Sequence, residues 1–146
     1  MRWRRFLTIT AFAALGVATA SLAQERFDYA VRDDMFRAFG GNEAAYKSAM
    51  LTIEETLRER PDHAEALVWR GVGLYFKAGQ AFAAGDVAGS ETLARAGMAD
   101  MDRAYELEPT NIGVLIPRSA SLLAGARSQR DADRTRDLAA RAASGS

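Results

Sequence analysis

The sequence predicts an all-α protein, and three observations lead to this fold class. From Phe27 onward, apolar residues recur at intervals of three and four, which is the spacing of one face of a helix. The alternating β-branched pattern that is typical of strands is nearly absent. Glycine or proline interrupts the helical pattern at Gly40-Gly41, Pro61 and Pro109, where helices commonly end.

Six helices are predicted between these interruptions. In chain order they span about residues 27–39, 43–60, 63–84, 90–108, 112–126 and 131–142. Asn42 is a candidate N-cap of the second helix, and Ser90 or a neighbouring residue is the candidate for the fourth, because short polar side chains can accept from a free backbone N–H. We expect the fifth helix to bend or restart at Pro117 and the last four residues, 143–146, to form a flexible tail.

The first 25 residues, MRWRRFLTITAFAALGVATASLAQE, have the three parts of a secretory signal peptide. Three arginines precede an uncharged apolar run over 6–20, and the small residues Ser21 and Ala23 suit a signal peptidase. We therefore predict that residues 1–23 are removed by cleavage before Gln24 and that the protein is periplasmic or secreted. An uncleaved anchor is the weaker alternative, because the run is shorter than the roughly 20 residues that span a bilayer.

The composition of the chain excludes several classes of site. The chain has no cysteine, which rules out a lipid-modified cysteine, disulfides and thiolate metal ligands. Without residues 1–23 it keeps 16 basic against 19 acidic residues, a net charge of −3. This mixed and slightly acidic balance argues against binding of nucleic acid, which depends on clustered lysine and arginine. The remaining residues 24–146 are enough for one domain with one core.

An internal repeat becomes visible when the sequences around Pro61 and Pro109 are aligned at a constant offset of 48 residues. Small residues and large apolar residues then coincide on both sides of the proline: Ala49 with Gly97, Ile53 with Met101, Ala104 with Thr56, Gly71 with Ser119, and Leu74 with Leu122. Each copy is predicted to be a helix, a proline turn and a second helix, with the small residues at close contacts between helices.

The segments PDHAEALVWRGVGLY and MDRAYELEPTN, with Leu67, Gly71, Ala104 and the two prolines, resemble the tetratricopeptide repeat (TPR) family. The resemblance implies antiparallel helix pairs that stack into a short solenoid of about three units. The period of 48 exceeds the usual ~34 of that family. The additional residues lie at Gly79–Ser90, which we interpret as an insertion in the central unit.

No residue pattern in the chain predicts catalysis, a metal site or a cofactor. His63 is the only histidine, so a catalytic triad or a two-histidine zinc site cannot form, and we place His63 in a turn after Pro61. Four acidic residues of the fourth helix are interpreted as a solvated face: Asp100, Asp102, Glu106 and Glu108. The sequence thus predicts a protein that is not an enzyme.

Arg70 and Arg118 occupy equivalent repeat positions, where TPR proteins usually place a core leucine. Neighbouring repeats would bring the two guanidinium groups close together, and such groups require anions. The preferred interpretation is pairing within the fold, with Glu106, Asp102 or Glu65 as partner. The alternative is a carboxylate or phosphate of a bound ligand.

The function predicted from these features is that of an exported TPR-like scaffold or adaptor that binds a partner protein or peptide. Its groove would be lined by the third and fifth helices, through Val68, Arg70, Val72, Tyr75, Phe76, Ile116, Arg118, Ala120 and Leu123. The alternative is a periplasmic protein that holds a small apolar or anionic ligand and serves a membrane transporter. In that case a Gly-Ala loop within 79–90 is expected to cover one end of the groove.

Overall fold

The computed structural model describes residues 26–144, and the side chains of 26–136. Within this part the chain forms only helices and no strand, which confirms the all-α prediction. The five helices are α1 (Asp28–Phe39), α2 (Glu43–Glu59), α3 (Ala64–Ala83), α4 (Val87–Leu107) and α5 (Ile112–Ser144). None of these helices is long and apolar enough to cross a membrane. The predicted signal peptide, residues 1–23, lies outside the described residues.

Polar side chains cap the N-termini of α2 and α4. Asn42 Oδ1 accepts from the Ala45 N–H at 3.0 Å and caps α2, as predicted. Asp86 Oδ1 accepts from the Gly89 N–H at 2.9 Å and caps α4. The prediction of Ser90 as the cap of α4 is therefore wrong, and the helix begins three residues earlier because an aspartate is an equally good cap.

The segment 79–90, which was interpreted as an insertion, is mostly helical, and its first part continues the third helix as the prediction of a helix over 63–84 implied. Its first part prolongs α3 to Ala83 and its last part opens α4 at Val87. Only a tight turn remains between them, where Gly85 adopts a φ of +85° that favours glycine. The longer period of the repeat is thus accommodated by longer helices rather than by a loop.

The predicted break between a fifth and a sixth helix is also wrong, because α5 is continuous from Ile112 to Ser144. Pro117 lies inside the helix and removes one backbone N–H from it. The stretch between the two predicted helices, residues 127–130, contains neither glycine nor proline, so nothing in it ends the helix. The helix includes Ala143 and Ser144 of the predicted tail, and residues 145–146 lie outside the described residues.

Three helices, α1, α3 and α5, run parallel and side by side. At one end of the α1–α3 contact Phe27 lies against His63, with ring centroids 5.0 Å apart, and at the other end Phe39 lies against Phe76 at the same distance. On the other side of α3, Glu65 lies beside Gly113 and Tyr75 beside Gly125. Positions 65 and 113 are 48 residues apart, which is the offset of the sequence repeat.

The other two helices, α2 and α4, run antiparallel to this layer and pack behind it. Lys77 Nζ bonds Glu43 Oε2 at 2.6 Å, which joins the end of α3 to the start of α2. On the other side Gly71 of α3 lies against Gly97 of α4, and α3 and α4 form the most extensive helix contact. The molecule is therefore two layers of helices, with α3 at the centre.

The core lies between the two layers and draws on all five helices. Its members share near-complete burial and apolar side chains: Val31, Met35, Ala49, Ile53, Leu57, Ala64, Ala66, Leu67, Val68, Trp69, Val72, Met101, Ala104 and Val114. Burial of such side chains is the main favourable term in folding, at about 25 cal/mol per Å² of apolar surface.

His63 caps α3 and should make the stability of the protein depend on pH. Its Nδ1 accepts from the Ala66 N–H at 3.2 Å, so this ring nitrogen must be unprotonated. Burial, followed by the charge of Arg60, lowers the pKa of His63 in the folded protein. Because the folded state disfavours the proton, the stabilisation is complete above the ordinary pKa of about 6.5 and is lost as the pH falls below it.

We expect urea denaturation to show a loss of about 1 kcal/mol, the usual value of an N-cap, between pH 7.5 and pH 5.5. The His63→Asn variant keeps a capping oxygen but cannot titrate, and the chain has no other histidine. It should lose much less stability over the same range. An equal pH dependence in both proteins would contradict this role of His63.

Candidate functional site

An open apolar groove of ≈ 1040 Å³ runs along the face formed by the three parallel helices. Its floor is α3, and its walls are α1 on one side and α5 on the other, with Ser90 and Ala94 of α4 at the margin. The floor consists of Trp69, Val72, Tyr75, Phe76, Ala78, Gly79 and Phe82. From Trp69 to Phe82 the floor is about 20 Å long, at 1.5 Å per helical residue.

The sequence forms this groove because the lining residues follow helical spacing. On α3 they recur every three or four positions, so they share one face of the helix. The α5 wall has the same spacing but smaller side chains, among them Gly113, Pro117, Ala120 and Ala124. Because these side chains are small, they do not fill the groove. Aromatic residues of α1 and α3 supply most of its apolar surface.

Several large apolar side chains in the groove remain accessible to solvent. Phe36, Phe82, Ile112 and Ile116 are each about 60% exposed although they line the same depression. Phe36 packs edge-on against Phe39, with ring centroids 6.0 Å apart. A contiguous exposed apolar surface of this kind usually marks an interaction site.

Of the nine residues that the sequence predicts for a groove, five line this one. They are Val72, Tyr75 and Phe76 of α3 together with Ile116 and Ala120 of α5. The α1 wall was not predicted, and Trp69 belongs to the buried core as well as to the floor of the groove. Phe36 and Phe39 are three residues apart, so they share one face of α1, and this spacing could have indicated an apolar wall.

Val68 and Leu123 were also predicted to line the groove, but both lie outside it. Val68 precedes the α3 stripe by one residue, a rotation of about 100°, and it is fully buried in the core. Leu123 is well exposed but precedes the lining residue Ala124, so it lies to one side of the α5 stripe. Neither residue lines the groove.

Arg70 is a structural residue bound to α4. Its guanidinium donates to both carboxylate oxygens of Asp100, at 2.6 and 2.8 Å, and lies 3.7 Å from Glu54 on α2. The hydrogen bonds to Asp100 raise the pKa of Arg70, and they outweigh the opposite effect of burial. The partner is none of those expected, and Asp100, only 15% exposed at its side chain, does not belong to a solvated face.

Arg118 forms the second ion pair, with an expected partner. It donates to Asp102 at 2.8 Å, and its guanidinium lies over the Tyr105 ring at 5.0 Å from the centroid. Asp102 is 52% exposed, so this pair is more accessible to water than the pair of Arg70. Both arginines therefore have acidic partners on α4, and neither lines the groove.

One end of the groove carries charge. Asp28, the only charged residue buried within the described residues, accepts from Arg26 at 3.0 and 3.2 Å and from Arg32 at 3.4 Å. One carboxylate thus faces two guanidinium groups, whose side chains are 46% and 40% exposed. At the opposite end Asp133 and Arg136 pair with each other. Arg32 also lies 3.9 Å from Asp33, so two arginines face two carboxylates at the first end and neither end carries a net charge.

Trp69 lies at the floor of the groove, but its hydrogen-bond donor is buried. The side chain is 95% buried, since its exposed fraction is 5%, and its Nε1 has no hydrogen-bond partner among the described residues. Buried indole N–H groups usually have an acceptor. Because less than 1 Å² of the Nε1 surface is accessible, this donor is not offered to a ligand in the groove.

A second, polar cleft of ≈ 620 Å³ lies at the end of the molecule where the α2–α3 and α4–α5 turns meet. Asn111 donates to Glu65 there at 3.1 Å, and His63 and Glu108 contribute further to the lining. In the part of the chain that the structure describes, no group of three or more His, Asp or Glu side chains is placed to hold a metal ion. The apolar groove is the stronger candidate for a functional site.

Comparisons of this chain with models of protein families, with curated proteins and with solved structures found no match. The candidate site therefore rests on the sequence and the geometry described above.

Proposed function

We propose that this protein is an exported adaptor, built from TPR-like helix pairs, that binds a helical segment of a partner protein in the groove between α1, α3 and α5. The observation that supports the proposal best is the exposure of large apolar side chains along the whole groove, with Phe36, Phe82 and Ile116 about 60% exposed. Such side chains gain most from a partner that covers them. Export is inferred from the signal-peptide pattern of residues 1–23.

The dimensions of the groove suit a helix laid along it. Its floor of about 20 Å matches a partner helix of about 13 residues at 1.5 Å per residue. An amphipathic helix in an apolar groove is a common mode of peptide recognition, with anchors at every third or fourth residue. We propose no catalytic step, since the groove lining offers no nucleophile paired with a base.

A small apolar or anionic ligand is the second candidate, and the volume of ≈ 1040 Å³ favours it. Small-molecule sites usually occupy about 300–1,000 Å³ and cover most of the ligand. Two observations count against a small ligand. The expected Gly-Ala loop over one end is a tight turn at Gly85, and large apolar side chains on the walls are exposed to solvent. Native mass spectrometry of the purified protein distinguishes the two, because a retained small molecule adds a defined mass.

The Ile116→Glu variant should lose its partner while remaining folded. It places a charge in the groove at a side chain that is 62% exposed, so the core is not disturbed. The matched control is Leu51→Glu, at a side chain that is 60% exposed and does not line the groove. We expect a partner that co-purifies with the wild type and with Leu51→Glu to be absent from Ile116→Glu. Equal recovery with both variants would contradict the proposal.

A further inference from the structure

We propose that two copies of this chain associate through the outer face of α5, with the two helices antiparallel and crossing at Ser119. The outer face is the side of α5 that is turned away from α3 and α4. Its members follow helical spacing: Ile112, Leu115, Ile116, Ser119, Leu122, Leu123 and Ala126. The inference adds an assembly of two copies to the proposed function and does not depend on it.

No helix within residues 26–144 covers this face. Gly113 and Gly125 lie against α3, and Arg118 bonds a residue of α4. These three positions are about 100–120° around the helix axis from Ser119, at about 100° per residue. Ser119 itself is exposed. The large side chains nearest to it on the face have exposed fractions of 58–62%: Ile112, Ile116 and Leu123. The outer face is therefore an apolar surface open to solvent.

The same stretch of α5 is almost free of charge. Residues 112–126 contain one charged side chain, Arg118, which is paired with Asp102 and lies outside the outer face. The solvent side of a helix in a globular protein usually carries charged residues, and in α5 these follow only from Arg127 onward. A second copy can therefore cover the outer face without burying an unpaired charge.

The outer face is complementary to itself, which a two-fold symmetric pair requires. The positions three and four residues before and after Ser119 all carry isoleucine or leucine. Seven residues away the face has the large Ile112 on one side and the small Ala126 on the other. When two antiparallel helices cross at Ser119, each position lies level with the position at equal distance on the other side. The isoleucines and leucines then meet one another, and Ile112 meets Ala126 of the second copy.

The contact between α3 and α4 shows how such a face is covered within one chain. Gly71, the equivalent of Ser119 at the offset of 48, lies against Gly97 of the antiparallel helix α4. Both positions have a leucine four residues before and three residues after the small residue. A small residue at the centre lets two helices approach closely, and the flanking leucines fill the space around the contact. The outer face of α5 repeats this pattern without a covering helix in the described part of the chain.

Two cysteine variants of the full chain test the geometry, because the chain contains no cysteine. Ser119→Cys places the thiols of the two copies at the crossing point, where their Cβ atoms face each other at a distance that suits a disulfide. Ala126→Cys is the matched control on the same face. The two copies of position 126 lie about 21 Å apart along the helix axes, at 1.5 Å per residue. Under mild oxidation, we expect a disulfide-linked dimer from Ser119→Cys and none from Ala126→Cys.

The Leu123→Glu variant tests the association itself. Leu123 belongs to the outer face but does not line the groove, whereas Ile112 and Ile116 belong to both. A helix pair about 21 Å long is a small interface, so the dimer should dissociate on dilution. Sedimentation equilibrium should show that Leu123→Glu raises the dissociation constant of the dimer about 30-fold or more, as for loss of a central interface residue. Leu51→Glu, at a similarly exposed position of α2, should leave it unchanged.

The failure of this proposal is distinguishable from failure of the groove proposal, because the partner should still co-purify with Leu123→Glu. A wild-type protein that stays monomeric, with no crosslink from Ser119→Cys, would overturn the dimer and leave the groove proposal standing. Crosslinks from both cysteine variants would contradict the antiparallel arrangement. Equal dissociation constants for Leu123→Glu and Leu51→Glu would place the interface on another surface. Circular dichroism checks that the variants are folded, and the cysteine pair decides if Leu123→Glu is not.

Discussion

Replacement of Gly71 by alanine should lower the free energy of unfolding by about 1–3 kcal/mol, the usual range for overpacking. A Cβ at position 71 would lie 2.6 Å from the carbonyl oxygen of Gly97 and 2.8 Å from Cγ of Met101. The carbonyl belongs to the backbone of α4 and cannot move alone, so the two helices would have to separate. Gly71→Leu should have a larger effect in the same direction.

Gly79→Ala is the matched control, because it makes the same substitution in the same helix. A Cβ at position 79 meets no atom within 4 Å. Alanine is preferred to glycine inside a helix by roughly 0.5–1 kcal/mol, so this variant should be slightly more stable than the wild type. Chemical denaturation of both variants checks the signs, and a Gly71→Ala protein as stable as Gly79→Ala would show that α3 and α4 do not meet closely.

Replacement of Arg70 by methionine should cost about 1.5–3 kcal/mol, as for the loss of hydrogen bonds to a charged group. The variant leaves the carboxylate of Asp100, only 15% exposed, without its two-point partner. Arg118→Met should cost less than about 1 kcal/mol, because Asp102 is 52% exposed and can be hydrated.

The double variant Arg70→Met, Asp100→Leu checks the cause of this loss. Removing both partners of a buried pair is often nearly neutral, so the second substitution should restore most of the stability lost in the first. Urea denaturation at pH 7 provides the four free energies of the cycle. No recovery in the double variant would indicate that Arg70 stabilises the fold through its aliphatic chain and not through Asp100.

The helices could be predicted from the sequence because their signals are local. Gly40-Gly41, Pro61 and Pro109 each interrupt an apolar pattern at the right place, and the observed boundaries of α1 to α3 differ from the predicted ones by a residue or so. The start of α4 and the continuity of α5 were harder to predict. Two caps, Asp86 and Ser90, were both acceptable, and a proline can remain inside a helix when only one hydrogen bond is lost.

The site was less predictable, because a groove depends on contacts between distant segments. The α3 stripe through Val72 and Phe76 follows from helical spacing, but the participation of α1 depends on its parallel packing against α3. The partner of Arg70 was missed for a similar reason. Several acidic residues of α4 were possible partners of Arg70. The close contact between Gly71 and Gly97 sets how α4 is aligned with α3, and this alignment places Asp100 beside Arg70.

Site-specific photo-crosslinking tests directly whether a partner helix binds in the groove. A photoreactive phenylalanine derivative replaces Phe36 in the groove or, as a control, Leu51 outside it, at two side chains of nearly equal exposure. After irradiation in cells, we expect a discrete crosslinked protein from position 36 and none from position 51, with the attached peptide mapping to an amphipathic helix. No crosslink at position 36, or the same crosslinked protein from both positions, would contradict it.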